Sequence, residues 1–186
     1  EADKLLDLGF NEDLTILLKA LPSHRQNLLF SATLPQKVLT ISSRVLTEPT
    51  VLRIDQEKTS VATIEQRAYR VDRDKRRLLL QHLLQTESFG QTLIFVSTQR
   101  GASNLAKKLR GSGIRATELH GGLEQSERII ALKRFRNSKI QILVATDIAA
   151  RGIDIPQLGA VVNFDLPRSP VDYTHRIGRT GRAGES

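Results

Sequence analysis

Apolar residues recur at helical spacing at Leu14, Leu17, Leu18 and Leu21, and the pattern stops at Pro22. Asn27 to Phe30 is a short apolar run that reads as a strand. Pro35 then opens a second helix carrying Val38, Leu39, Ile41, Val45 and Leu46, and Thr50 to Ile54 is strand-like. This order of helix, strand, helix, strand predicts the closing portion of an α/β domain.

Beyond residue 60 the alternation is clearer. Gln66 to Val71 predicts a strand and Lys75 to Leu84 a leucine-rich helix. Thr92 to Val96 is an apolar run of the kind buried on both faces of a sheet. Thr98 is placed to cap a helix bearing Leu105 and Leu109, and Gly111 and Gly113 punctuate its end. A short strand over Arg115 to Leu119 leads to a turn at Gly121 and Gly122, then a helix from about Glu124 to Phe135 and a strand over Ile140 to Ala145. Ala160 to Phe164 is a further strand, and Ser169-Pro170-Val171-Asp172 has the cap, proline and N3 acid of a helix start. Strands separated by helices at this rhythm predict an α/β fold, a parallel sheet with helices on both faces.

Charge divides the chain. Residues 1–50 hold 5 basic and 6 acidic groups, and the rest holds 23 and 14, within a total of 28 Lys plus Arg against 20 Asp plus Glu. The polar stretch Asp55 to Ser60 lies at the change and reads as a linker between two bodies, 1–54 and 61–186. A pI near 10.2 points to an anionic partner, of which nucleic acid is the commonest. With 6 Phe, 2 Tyr and no Trp, stacking of bases on aromatic platforms is disfavoured. The absence of cysteine excludes a disulfide framework, a thiolate zinc site and a cysteine nucleophile. No apolar run reaches 18 residues, so no membrane span is expected, and an intracellular location is: cytoplasmic in a bacterium, nuclear or cytoplasmic in a eukaryote.

The densest chemical signal is His175-Arg176-Ile177-Gly178-Arg179-Thr180-Gly181-Arg182. Three arginines and a histidine surround two glycines, and arginine suits multidentate contact with phosphate oxygens. Alone, such an octamer reads first as a solvated basic loop. Ala145-Thr146-Asp147-Ile148-Ala149-Ala150-Arg151-Gly152-Ile153-Asp154 follows a predicted strand, and ligands of open parallel sheets bind beyond the carboxyl ends of strands. Its plainer reading is a strand-to-helix loop with Asp147 as a cap. Gln125-Ser126-Glu127-Arg128 opens a helix, where backbone N–H groups favour anions, although a solvated first turn has the same composition. His24, His82 and His120 have no paired metal-ligand spacing and read as surface, helix and turn residues. Arg73, Lys75, Arg76 and Arg77, and Lys133, Arg134, Arg136 and Lys139, read as solvated helix faces that add to an attractive field.

Together these segments resemble the second RecA-like domain of the DEAD-box RNA helicases of helicase superfamily two. Ser31-Ala32-Thr33 is similar to that family's coupling motif, Glu1-Ala2-Asp3 to the last three letters of its Asp-Glu-Ala-Asp box, and Leu93 to Ser97 to its fourth motif. The resemblance implies a RecA-like domain over 61–186, trimmed at its end, preceded by the C-terminal part of the first RecA-like, ATP-binding domain over 1–54. It implies an ATP-dependent RNA helicase in which Arg179 and Arg182 are arginine fingers on the transferring phosphoryl group. Gly152 and Asp154 would hold the nucleotide ribose, and His175 would link the box to the second domain. Arg100, Gly121, Gln125, Arg128 and Thr146 would line the RNA backbone. Glu1 would position or activate the attacking water, while Asp3, Ser31 and Thr33 relay nucleotide state to RNA grip.

ATP and magnesium are the cofactors implied, and RNA, single-stranded or a short duplex bound without sequence preference, is the partner. No glycine in the chain is followed by lysine, so the phosphate-cradling loop is absent, and the magnesium aspartate is expected just before Glu1 rather than within the chain. The chain alone is therefore expected to be inactive as an ATPase. Two other readings stay open: an RNA-binding or annealing module of the same fold that needs no ATPase, and a DNA helicase of the same superfamily.

Overall fold

The computed structural model describes residues 2, 6, 9–31, 34–53, 64–150 and 158–180. The chain divides into two compact units, Glu1–Asp55 and Gln56–Ser186.

In the first unit, α1 (Asn11–Ala20) and α2 (Gln36–Val45) are amphipathic helices. Glu12 and Asp13 lie in the first turn of α1 and Lys19 in its last, each complementing the helix dipole. Val38 and Ile41 of α2 are buried. Asn27 Nδ2 donates to the Val45 carbonyl at 2.8 Å and ties the intervening loop to the end of α2. The strands expected at 27–30 and 50–54 do not form over their described residues. Leu28 and Leu52 are 71% and 85% exposed, and an apolar run becomes a strand only when a neighbouring strand supplies ladder hydrogen bonds and cover. Ile54 lies outside the described residues.

The second unit holds a four-stranded, wholly parallel sheet in the order β2–β3–β1–β4, with β1 at Thr92–Phe95, β2 at Ala116–Leu119, β3 at Ile142–Ala145 and β4 at Ala160–Asn163. Thr92 pairs with Ile142 on one side and Ala160 on the other, so the strands start nearly level and end nearly level. Helices α3 (Arg76–Thr86), α4 (Gln99–Gly111), α5 (Gln125–Arg136), α6 (Asp147–Ala150) and α7 (Pro170–Ile177) complete the described elements.

The period-two alternation of a strand sorts the core into two layers. Leu93, Phe95, Leu143 and Ala145 pack with Phe135 of α5 and with Ala149 and Ala150 of α6. Ile94, Val96, Ile142 and Val144 pack on the opposite face with Leu80 of α3 and with Ala102, Leu105 and Leu109 of α4. Both faces of the sheet are covered, which is why its central strands carry continuous apolar runs. Gly159, before β4, has a backbone so close to the Phe89 carbonyl that a Cβ would lie 1.7 Å from that oxygen. No side chain fits there.

Local signals act as the sequence predicts. Thr98 Oγ1 accepts from the Gly101 amide at 2.9 Å, and Ser169 Oγ accepts from the Asp172 amide at 3.1 Å with Pro170 in the first turn. Gly113, past the end of α4, has a φ of +79°, which suits glycine. One expectation fails: residues 66–71 form no strand. This segment is held by side chains instead. Gln66 Oε1 accepts from Tyr173 Oη at 2.6 Å, and Arg67 pairs with Glu65 at 2.7 Å and with Glu87 at 3.4 Å. The hydrogen bond to Glu65, foremost, raises the already high pKa of Arg67.

Candidate nucleic-acid and nucleotide edge

The carboxyl ends of the four strands gather the segments that carry the predicted chemistry. On the β2–β3 side lie the first turns of α4 and α5, the Gly121–Gly122 turn and the end of β3. Arg100 is exposed in the first turn of α4. The turn after β2 is built around His120, a buried residue. Its Nδ1 accepts from the Gly122 amide at 3.1 Å, which leaves Nε2 of the neutral ring to donate to Ser103 Oγ at 2.8 Å. His120 thus joins α4 to the glycine turn, in keeping with the turn role expected of it. Gln99 lies over the turn: a Cβ on Gly122 would come 2.6 Å from Gln99 Oε1, so a side chain there would displace the Gln99 amide.

Helix α5 begins at Gln125, and Glu127 Oε2 reaches back to accept from the Glu124 amide at 3.0 Å. Gln125 is exposed and Arg128 half-buried, and the two side chains meet at 3.4 Å. The Arg128 Nε is buried without a hydrogen-bond partner. A buried guanidinium donor left unmatched is costly unless a ligand oxygen fills it. Thr146, 9% exposed at the end of β3, donates its amide to the Leu119 carbonyl at 3.3 Å, which joins the ends of β2 and β3.

On the β1–β4 side, α7 ends at Ile177 and Arg179 follows it. His175 and Arg179 border a small concavity together with Phe95, Asp147, Asp172 and Arg176. Both are half-buried, and the Arg179 amide donates to the Arg176 carbonyl at 3.2 Å. The first arginine of the octamer behaves differently from its neighbours. Arg176 is 3% exposed, and its guanidinium grips the Asp147 carboxylate through two bonds of 2.6 and 2.7 Å. Asp147, read from sequence as a possible cap, is therefore an ion-pair partner. Sequence reasoning did not separate Arg176 from the other arginines. The available signal was its place inside the capped helix, three residues before Arg179.

Arg76 corrects another expectation. It is not a solvated face residue: it donates to the Phe164 carbonyl and to Asp165 Oδ1 at 2.8 Å, and it sits 4.3 Å from the centre of the Phe164 ring. Asp165 in turn accepts from the Ser97 amide at 2.9 Å, which clasps the ends of β1 and β4. Lys133, Arg134, Arg136 and Lys139 are exposed, as expected. Ser31 is half-buried in the first unit. Glu1, Asp3, Thr33, Gly152, Asp154 and Arg182 lie outside the described residues. Among the described residues no three His, Cys, Asp or Glu side chains converge as a metal site would require. No helix among them is long and apolar enough to cross a membrane.

The profile of the helicase conserved C-terminal domain matches residues 74–184. A DEAD-box ATP-dependent RNA helicase, CshA of Geobacillus kaustophilus, is 41% identical over all 186 residues, which cover 40% of that protein. The CshA of Bacillus subtilis is also 41% identical over the whole chain, here 38% of the relative. The chain thus spans about two-fifths of the curated relatives it matches. Among solved structures, Saccharomyces cerevisiae Dbp5 bound to RNA and ADP BeF3 superimposes with a TM-score of 0.81 at 34% identity, covering 99% of this chain and 49% of that one. A DEAD-box protein from the hyperthermophile Methanococcus jannaschii gives 0.63 at 38% identity, covering all of this chain and 50% of its own. With its parallel RecA-like sheet and its motifs ranged along the carboxyl edge, the chain belongs to the helicase conserved C-terminal domain family, as a DEAD-box member of helicase superfamily two.

Proposed function

We propose that the chain supplies the RNA-gripping and arginine-finger portion of an ATP-dependent RNA helicase. The observation that carries this reading is the division of one sheet edge into two flanks. Arg100, Gly121, Gln125, Arg128 and Thr146 cluster beyond β2 and β3, while His175 and Arg179 stand beyond β1 and β4.

On the first flank, the first turns of α4 and α5, beside the Gly121–Gly122 turn, present donors to a phosphate backbone. Arg128, half-buried in the first turn of α5, pairs there with a phosphate oxygen. No aromatic platform is involved, so recognition follows the backbone and not the bases. On the second flank, Arg179 acts with Arg182 on the transferring phosphoryl group of ATP. Phosphoryl transfer depends on positioning and charge stabilisation, and an arginine finger contributes about 10³ to 10⁵ in rate. Gly152 and Asp154 hold the ribose, and His175 links this domain to the box. Glu1 positions the attacking water, and Asp3, Ser31 and Thr33 pass nucleotide state to the RNA flank. Residues 1–54 then belong to the first RecA-like domain, 55–60 to the linker and 61–186 to the second. Magnesium, when bound, would neutralise phosphate charge.

The test is RNA-stimulated phosphate release by a longer protein that carries this chain beside its nucleotide cradle. Release that RNA accelerates and a single-stranded DNA of the same length does not supports the reading. Equal stimulation by both polymers, or none by either, overturns it.

A further inference from the structure

The cations of the second unit are not confined to the carboxyl edge of its sheet. Residues 105–119 and 131–142, which pass the opposite edge, hold eight of the chain's 28 Lys and Arg and one of its 20 Asp and Glu. That one carboxylate, Glu118, pairs with Arg110 at 2.7 Å. No carboxylate among the described residues pairs with Lys107, Lys108, Arg115, Lys133, Arg134 or Lys139. All six side chains are exposed.

The fold draws three of them together. Helix α5 ends at Arg136, and the chain reverses through Ser138, whose φ is +54°. The Arg134 carbonyl then accepts from the Lys139 and Ile140 amides at 2.9 and 3.2 Å. The Arg115 carbonyl accepts from the Gln141 and Ile142 amides, each at 3.0 Å. Arg115, Arg134 and Lys139 are therefore neighbours along the backbone at the amino ends of β2 and β3. Cations near a helix C-terminus ordinarily complement its dipole. That role does not account for this group, because Arg115 and Lys139 lie outside every described helix. The last carbonyls of α5 are also already matched: those of Lys133 and Phe135 accept from the Asn137 and Ser138 amides at 3.1 and 2.9 Å.

We propose that this amino-edge face is a second RNA-backbone surface, which takes the continuation of a strand held at the carboxyl edge. The proposal rests on the RNA reading above and extends it to a part of the molecule that reading leaves unused. The two surfaces share α5, whose 12 residues span about 18 Å. A strand held at the first turn of α5 keeps its next nucleotides close to the last turn, so the second contact is intramolecular and needs little affinity of its own. The chemistry selects a polyanion without apolar character. Exposed arginine and lysine suit phosphate oxygens. Neither stretch exposes a large apolar side chain that could anchor a protein partner or enter a membrane.

The test is salt-titrated fluorescence anisotropy of the 186-residue chain with single-stranded RNAs of about 5 and about 25 nucleotides. At about −0.7 per phosphate, the short RNA, confined to one edge with about 4 phosphates, should give a slope of log affinity on log salt near −3. The long RNA, with about 7 phosphates engaged, should give a slope near −5. Extra binding registers on a longer strand raise affinity without steepening the slope, so the slope isolates the second surface. The triple variant Arg115→Gln, Arg134→Gln, Lys139→Gln touches neither the carboxyl-edge residues nor the core. It should return the long-RNA slope to near −3 and weaken that RNA about tenfold at about 0.1 M salt, with the short RNA changed by less than about twofold. Arg115→Lys with Arg134→Lys keeps the charge and should keep the steeper slope. Circular dichroism and thermal melting check each fold, and the double variant Arg134→Gln, Lys139→Gln carries the same test if the triple one does not fold. Equal slopes for the two RNAs in the parent chain overturn the proposal. So does an equal loss of affinity for both in the glutamine variant, because the cations would then act only as a diffuse field. A short RNA that fails to bind counts against the carboxyl-edge reading alone, and the second surface is then judged by the long RNA and its variant.

Discussion

Arginines 128 and 176 occupy the same sheet edge and meet opposite fates. Arg176 is saturated: its bonds go to Asp147, Asn163 and Asp165. Arg128 is left with a buried Nε that nothing among the described residues matches. The difference lies in what surrounds them. Arg176 rises from a helix packed on strands whose ends bring a carboxylate, an amide oxygen and a backbone carbonyl within reach. Arg128 sits in the first turn of α5, where Gln125 Oε1 accepts from its Nη1 at 3.4 Å and no acceptor among the described residues meets its Nε. A saturated guanidinium holds shape, and an unsaturated one awaits an anion. The contrast separates an arginine whose bonds hold this edge together from one proposed to work on RNA.

The largest test of the contrast is catalytic. In a longer protein carrying this chain, Arg179→Ala or Arg182→Ala should lower RNA-stimulated turnover by about 10³ or more, as for other fingers. RNA affinity without nucleotide should change by less than about threefold, whereas a lost RNA contact would cost on the order of 1 kcal/mol, roughly fivefold. A solvated basic loop predicts the reverse, and full turnover in the corresponding lysine variants would remove the finger assignment. The 186-residue chain alone, lacking a Gly-Lys phosphate loop, should show no RNA-stimulated phosphate release near the roughly 1 per second of kinase-like enzymes.

Stability gives the next largest separation. Arg176→Ala leaves a carboxylate without its partner and should cost about 3–5 kcal/mol in denaturant unfolding. Arg100→Ala, an exposed change in the same unit, should stay within about 0.5 kcal/mol. Similar losses for the two would erase the distinction between building and working arginines. Below these comes the Thr98 cap, whose replacement by Ala should cost about 1 kcal/mol and lower RNA affinity only through fraying of the turn that carries Arg100.

The smallest effect is read from salt. If about 4 phosphates are neutralised on the RNA flank, the logarithm of affinity for single-stranded RNA should fall with the logarithm of salt at a slope near −3. Arg128→Gln should make that slope shallower by about one phosphate's share, roughly 0.7, whereas replacing Arg76, which is engaged with Phe164 and Asp165, should leave it unchanged. A flat response, or strong preference for one RNA sequence, contradicts backbone gripping.

The alternation of apolar and polar positions, with caps at Thr98 and Ser169 and glycines at 111 and 113, was enough to place the four strands of the second unit and all its described helices except Asp147–Ala150 to within a few residues. These signals are local, and each strand carried its burial in its own composition. Residues 27–30 and 66–71 look alike as sequence to a short strand, yet neither joins a ladder, because pairing depends on a neighbour that no local window contains. The motifs of the edge were legible because residue type and order carry them; the division of labour within them was not. Whether an arginine is a strut or a ligand donor depends on which acceptors the packed strands bring within 3 Å, and Asp147 reaches Arg176 across 29 positions of chain. Sequence alone determined the sheet, the charge and the chemistry available at its edge. Tertiary structure alone decided that Arg76 and Arg176 are consumed in holding that edge together while Arg128 keeps a donor unmatched, because hydrogen-bond satisfaction is a property of neighbours in space.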